Sequence, residues 1–279
     1  MIGWFIHHRL CGALCFVLSA GIGAAQDPSG VKKFEPRVGQ AGKDVVWVPT
    51  PQALVDKMLD VAKVTPNDYV IDLGSGDGRM VIAAAKRGAR ALGIEYNPDM
   101  VELSRRNAAK AGVAERASFV QGDIFASDLS KATVITLFLL ADINLKLRPK
   151  ILDLPPGTRI VSNTFTMGAW TADRIVTAEE DCPDYCVAYF WIVPAKVEGR
   201  WQLPQGEILF RQTFQKVTGT VKSSAGALEI RDGTIEGSRI SFSAGDREYV
   251  GHFAGNRIDG VARTGAGIHE WTAIRSTAP

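Results

Sequence analysis

The stretch Asp72-Leu73-Gly74-Ser75-Gly76-Asp77-Gly78-Arg79 sets three glycines between two apolar runs. Glycine costs conformational entropy in a strand or helix, and is useful where the backbone takes positive φ or something approaches it closely. The run before the loop, Tyr69 to Leu73, reads as a buried strand, and the run from about Gly78 to Arg87 as a helix. A parallel strand that hands over to a helix through a glycine turn is where open α/β sheets bind ligands. Backbone N–H groups of such a turn can surround a polar or anionic group, and the helix dipole adds to the attraction.

The surrounding sequence repeats this alternation. Thr50 is expected as an N-cap with Pro51 at the first helical position, opening a helix to about Lys63 that buries Leu54, Val55, Met58, Leu59 and Ala62. Ala91 to Glu95 reads as a second strand and Pro98 to Ala111 as a second long helix. Ala117 to Gln121, Thr133 to Leu139 and Thr158 to Asn163 complete the strands of a parallel sheet. Tyr185 to Val193 is expected at the sheet edge as an antiparallel strand. After Pro194 the style changes to short β runs punctuated by Gly199-Arg200-Trp201, Gly219-Thr220-Val221, Ile235-Glu236-Gly237 and Ile258-Asp259-Gly260. That pattern predicts an antiparallel meander or small barrel. The expected organisation is a leader over residues 1–25, a linker over 26–44, an α/β domain over 45–195 and an all-β accessory domain over 196–279.

The beginning of the chain carries an address. An apolar stretch from Leu10 to about Ala25 ends in small residues followed by Gln26-Asp27-Pro28, the layout of a secretory signal peptide cleaved after Ala25. The alternative is an uncleaved membrane anchor, and Lys32, Lys33, Arg37 and Lys43 after the stretch would permit an inward-facing domain. Outside the leader the only cysteines are Cys182 and Cys186, which could close a small disulfide across a Pro turn or remain free thiols. Without a second pair or a suitably spaced His they make a poor zinc site, and no metal is expected. A net charge of +2 gives no electrostatic footprint for a nucleic acid.

The loop matches Asp-x-Gly-x-Gly-x-Gly rather than the dinucleotide Gly-x-Gly-x-x-Gly, because Arg79 stands where the latter needs its third glycine. With Glu95 ending the second strand and Gly122-Asp123-Ile124 after the third, the chain resembles the class I S-adenosylmethionine-dependent methyltransferases. "VIDLGSGDGR", "ALGIEYNP", "VQGDIF" and "LPPGTRIVSNTFTMGAW" look like the branch of the ATP-synthase c-subunit lysine methyltransferases and, more distantly, the non-SET histone lysine methyltransferases. The resemblance covers residues 45–193 and implies a Rossmann-like sheet with S-adenosyl-L-methionine as cofactor. Asp72, Gly74, Ser75, Gly76 and Gly78 would meet its methionine end, Glu95 its ribose hydroxyls, and Asp123 and Ile124 its adenine edge. Thr50 would touch the cofactor's carboxylate. The all-β part is similar, loosely, to modules appended to exported bacterial enzymes.

No Asn-Pro-Pro-Tyr follows the fourth strand; the chain reads Thr136-Leu137-Phe138-Leu139-Leu140-Ala141-Asp142 there, which disfavours nucleic-acid bases as acceptors. The expected reaction is methyl transfer to a protein, including its lysines, or to a small-molecule nucleophile. Asp142, Asn163 and Trp170, beyond the fourth and fifth strands, are the acceptor-side candidates. The rival reading is an exported, non-catalytic binding protein on the same fold, and membrane contact is expected only through an uncleaved leader.

Overall fold

In the computed structural model, which describes residues 34–276, the chain builds a seven-stranded sheet and an eight-stranded barrel. The sheet contains β1 (Tyr69–Leu73), β2 (Arg90–Glu95), β3 (Ala117–Gln121), β4 (Val134–Leu137), β5 (Arg159–Asn163), β6 (Arg174–Thr177) and β7 (Val187–Ile192) in the order β3-β2-β1-β4-β5-β7-β6. Strands β1 to β5 run parallel, while β7 is antiparallel to both β5 and β6. The central strands are apolar because both faces are covered, as parallel strands require. One face buries Leu54, Val55, Met58 and Leu59 of α1 (Gln52–Val61), with α2 (Arg79–Lys86) and α3 (Pro98–Lys110) beside it. The other face packs α4 (Ala141–Leu152) against Ile135, Trp170 and Trp191.

Two expectations need correction, and one helix lacks a sequence signal. The strand over Val187–Ile192 is interior, not an edge; the short, mostly exposed β6 lies outside it. The first helix starts one residue late, with Pro51 as its N-cap, and the Thr50 side chain does not cap it. Instead Thr50 Oγ1 accepts from Asn163 Nδ2 at 3.3 Å, which ties the helix entry to β5. Helix α4 is not announced by the sequence pattern, because Pro149 inside it and its weak amphipathic pattern conceal the helical period.

The barrel comprises β8 (Gly199–Leu203), β9 (Gly206–Thr213), β10 (Lys216–Ser223), β11 (Gly226–Glu236), β12 (Arg239–Ala244), β13 (Arg247–Ala254), β14 (Arg257–Thr264) and β15 (Gly267–Arg275). Each strand pairs with its sequence neighbours, and β15 returns to β8 to close the circle. Closure removes sheet edges. At the seam, the Arg275 guanidinium lies 4.5 Å from the Trp201 ring centroid and donates to the carbonyls of Glu198 and Lys196. The Gly-x-Trp opening and the Arg ending of this segment are thus two halves of one contact. The interior is filled by Trp201, Phe210, Phe242, Tyr249 and Trp271, mostly edge to face.

Val193, Ala195 and Val197 carry the chain from the core of the sheet into that of the barrel, all fully buried. The β9–β10 turn braces the sheet. Phe214 stacks on Trp170 at 6.0 Å and 14°, Arg148 lies 5.3 Å from its ring, and Gln215 Nε2 donates to Thr171 O at 2.7 Å. Phe214→Ala should therefore cost about 1.5–3 kcal/mol, the scale of a half-buried aromatic with a stacked partner, read as a lower urea midpoint. A change below about 0.5 kcal/mol, the scale of an ordinary surface substitution, would mean that the barrel does not brace the sheet.

Candidate functional site

Above the C-terminal ends of β1, β2 and β4, where the strand order reverses, lies a cleft of about 1110 Å³ counted to its open mouth. Thr50, Asp72, Gly74, Ser75, Gly76, Glu95, Asp123 and Ile124 line it, as do Tyr96, Asn97 and Phe138. Gly78, Asp142, Asn163 and Trp170 do not.

The glycine loop is not an anion cradle. Gly74 N and Ser75 N both donate to Ile94 O (2.9 and 3.1 Å), Gly76 N to Glu95 Oε2 (3.0 Å) and Gly78 N to Ser75 O (2.9 Å). The loop carbonyls are held as well, Gly76 O by Ser104 Oγ (2.8 Å) and Asp77 O by Asn107 Nδ2 (2.9 Å), both from α3. The loop therefore presents a surface in which four N–H groups are already committed. Its glycines are needed for protein contacts: a Cβ on Gly76 would stand 2.7 Å from Trp47 Nε1, and one on Gly78 would stand 2.8 Å from the Phe119 ring. Both also hold positive φ. Gly78 thus serves the seating of α2 against β3 and α3.

Charge in the cleft is negative. Asp72 lies at the end of β1, 7 % exposed, and accepts from Thr136 Oγ1 at 2.7 Å across the β1–β4 pairing. Burial pushes its carboxyl up to about 7 against the Thr136 hydrogen bond, with the Glu95 and Asp77 charges adding to the rise. The Glu95 carboxylate is fixed by two backbone donors, Gly76 N on Oε2 and Asn97 N on Oε1, each at 3.0 Å. Each oxygen keeps a lone pair for a further donor, which suits two neighbouring hydroxyls. A deep carboxylate with no cation beside it among the described residues, and a carboxylate with two remaining acceptor sites, fit a ligand bearing an ammonium and a diol. They do not fit a phosphate.

In the segment 34–49, residues 40–49 close the cleft from above, held by hydrogen bonds between Trp47 and both Gly39 and Gln40 and by the Ala41–Val46 bridge. From this strap Lys43 reaches Asp123 Oδ2 at 2.8 Å and stands 4.7 Å from the Tyr96 ring centroid. The Lys43 hydrogen bond, followed by that of Phe125 N, holds the Asp123 carboxyl below its ordinary range. One carboxylate oxygen of Asp123 is thus engaged by the strap. Nothing in the sequence pattern marks Lys43 or Trp47 for these places, because the contacts span the whole first half of the sheet.

The acceptor-side candidates separate. Asn163 is fully buried at the end of β5 and reaches only the Thr50 hydroxyl and Thr164. Trp170 is a core residue, wholly enclosed by Trp191 and Phe214, so it cannot touch an acceptor. Asp142 sits exposed in the first turn of α4, outside the cleft. What does meet the cleft on this side is aromatic. Phe138 lines both it and an adjoining apolar groove, with Leu140, Phe165 and Tyr185 along that groove. Phe165 is set by α4, whose buried Asn144 donates from Nδ2 to Phe165 O at 3.1 Å.

The charge pattern gives two measurable consequences for an adenosyl ligand carrying an ammonium. Glu95→Ala should weaken binding of S-adenosylhomocysteine by about 1.5–3 kcal/mol in calorimetry, the range for hydrogen bonds to a charged group. An ammonium requires Asp72 ionised, whereas the free carboxyl takes up its proton near 7. Affinity should therefore fall as pH drops below about 7, and Asp72→Asn should bind weakly with that dependence removed. In the free chain the linkage has the opposite sense. A raised folded-state value favours folding at low pH and is lost as pH rises towards 7, so Asp72→Asn should gain stability relative to the native chain on the alkaline side. Wild-type affinity in both variants would place the ligand elsewhere.

Comparison with known proteins agrees with this geometry. The family described as the ANTKMT methyltransferase domain matches residues 72–174. A protein-lysine N-methyltransferase of Saccharolobus islandicus is 41% identical over 152 residues, which are 53% of this chain and 94% of that protein. The ATP-synthase c-subunit lysine N-methyltransferase of Mus musculus is 38% identical over 38% of this chain, but the match spans only 43% of the mouse protein. An RNA methyltransferase of Salinibacter ruber, solved with S-adenosylhomocysteine, is 49% identical over 54% of this chain and 96% of its own, with a TM-score of 0.50. S-adenosylmethionine is the cofactor that such a cleft serves. The chain accordingly belongs to the class I S-adenosylmethionine-dependent methyltransferases, in the branch of the ATP-synthase c-subunit lysine methyltransferases.

Proposed function

We propose that the chain methylates the ε-amine of lysine in a protein acceptor. The observation that carries this reading is the 41% identity across nearly the whole of the Saccharolobus islandicus protein-lysine N-methyltransferase. The groove beside the cleft suits it: Phe138, Leu139, Leu140 and Phe165 offer an apolar path for an alkyl stem. Family membership sets aside the reading of a non-catalytic binder.

In this reading Asp72 faces the cofactor's ammonium and Glu95 its ribose hydroxyls. Asp123 and Ile124 border the adenine, while Thr50 and the loop from Gly74 to Gly76 enclose the methionine end. When bound, S-adenosylmethionine supplies an electrophilic methyl on a sulfonium. The work of the protein is alignment and desolvation. An apolar wall disfavours the charged ammonium and lowers the lysine pKa, so the proton leaves to water before the amine meets the methyl. The bound cofactor would supply its methyl to that nitrogen, with the neutral thioether as the leaving group. Asp142, exposed two residues after Leu140 of the groove, can at most take a proton through water, and Asn163 supports Thr50 from behind.

A second acceptor, RNA, is suggested by the description of the Salinibacter ruber relative. The groove argues against it, since its lysine, Lys43, is already paired with Asp123. We further propose that the enzyme is exported. The leader lies outside the described residues, but the bond between Cys182 and Cys186 suits an oxidising compartment.

Both proposals are open to direct measurement. Incubation with S-adenosylmethionine labelled in its methyl, together with envelope extract from cells lacking the protein, should place label on lysine in protein. Label removed by ribonuclease would overturn the lysine reading in favour of RNA. Amino-terminal sequencing of the native protein should begin at Gln26; an intact Met1 would contradict cleavage.

A further inference from the structure

Three aromatic rings meet at the open end of the acceptor side, each from a different sheet connection. Phe138 follows β4, Phe165 follows β5, and Tyr185 precedes β7. Phe138 stands between the other two, stacked with Phe165 at 6.2 Å and 27° and edge-on to Tyr185 at 5.2 Å and 61°. All three line the groove that shares Phe138, Leu139 and residues of the strap with the cofactor cleft.

Tyr185 is held there at a cost. Its φ is +57°, where a bulky side chain is an outlier, and the residue stays 43 % exposed, so burial of the ring against Phe138 offsets that backbone only in part. Strain of this kind persists only where the surroundings impose it, and it gathers at functional sites. The disulfide between Cys182 and Cys186 closes a five-residue loop around Pro183 and Asp184 with Tyr185 inside it. The loop is then tied to the segment bearing Phe165, because Thr164 N, itself at φ +60°, donates to Val187 O at 2.8 Å.

We propose that Tyr185 is a specificity-determining residue for the acceptor, positioned by the disulfide-closed loop so that its ring and Phe138 wall the path of an incoming lysine stem. This rests on the lysine reading above. A straight alkyl chain ending in an amine can lie along the continuous aromatic surface that Phe165, Phe138 and Tyr185 form. The rings attract the methylated ammonium product by cation–π interaction while excluding water from the neutral amine. The disulfide thereby acts on the acceptor site and leaves the cofactor site alone, since none of residues 181–186 lines the cofactor cleft.

The test uses the full chain, methyl-labelled S-adenosylmethionine and the synthetic peptide Ac-Ala-Leu-Lys-Leu-Ala-amide, whose apolar flanks match the groove. Tyr185→Gly removes the ring and the backbone strain together. It should raise the peptide KM about 10-fold or more, the loss of one buried ring. Its melting temperature should be no lower than that of the native chain, and its affinity for S-adenosylhomocysteine should be unchanged. Tyr185→Phe should keep the native KM. The Cys182→Ser/Cys186→Ser double variant should raise KM with cofactor affinity intact. Native KM in Tyr185→Gly or in the double variant would overturn the assignment. A native chain that binds S-adenosylhomocysteine yet transfers nothing to the peptide would instead overturn the lysine reading beneath it.

Discussion

A carboxylate buried at the end of β1, with no cation against it among the described residues, is the constraint around which this site is arranged. Asp72 lies between β2 and β4 in the sheet, and its one side-chain partner is the Thr136 hydroxyl. Desolvation alone would drive such a group to its neutral form, which is the direction of its shift. Glu95 and Asp77 add negative charge instead of relieving it. The cost is unfavourable to the free chain and becomes favourable only when a cation arrives. The cleft is thereby organised for its ligand before the ligand binds.

The glycine loop takes its shape from the same requirement. A phosphate site would leave its N–H groups free; here four of them are satisfied internally, by Ile94, Glu95 and Ser75. One of these bonds also fixes the Glu95 carboxylate, so the loop and the ribose acceptor are a single hydrogen-bonded unit. Ser104 and Asn107 of α3 hold its carbonyls from the other side. The strap over residues 34–49 completes the enclosure through Trp47 against Gly76 and Lys43 against Asp123.

Local chemistry made the cofactor half legible in the sequence. Asp72, the glycines and Glu95 are adjacent to strand ends that their own apolar runs announce, so spacing alone brings them together. The role of individual glycines was less legible: Gly78 reads as a ligand contact, but Phe119 and Ser104 are what it accommodates. The acceptor half was hardly visible. Trp170 looks like a substrate residue because it follows the fifth strand, yet Phe214, from a barrel turn far along the chain, covers it. Phe138, Phe165 and Tyr185 converge only through the insertion of β7 between β5 and β6, which no periodicity reveals. Helix α4 was hidden by Pro149. What escaped the sequence in each case was a long-range contact or a locally broken rule.

The most direct test of this account is a crystal structure of the chain with S-adenosylhomocysteine. The account requires the ribose hydroxyls on the two Glu95 oxygens, the amino group within hydrogen-bond distance of Asp72, and the sulfur facing the groove walled by Phe138. An adenosyl group bound away from Glu95, or an amino group turned from Asp72 with that carboxylate still unpaired, would contradict it.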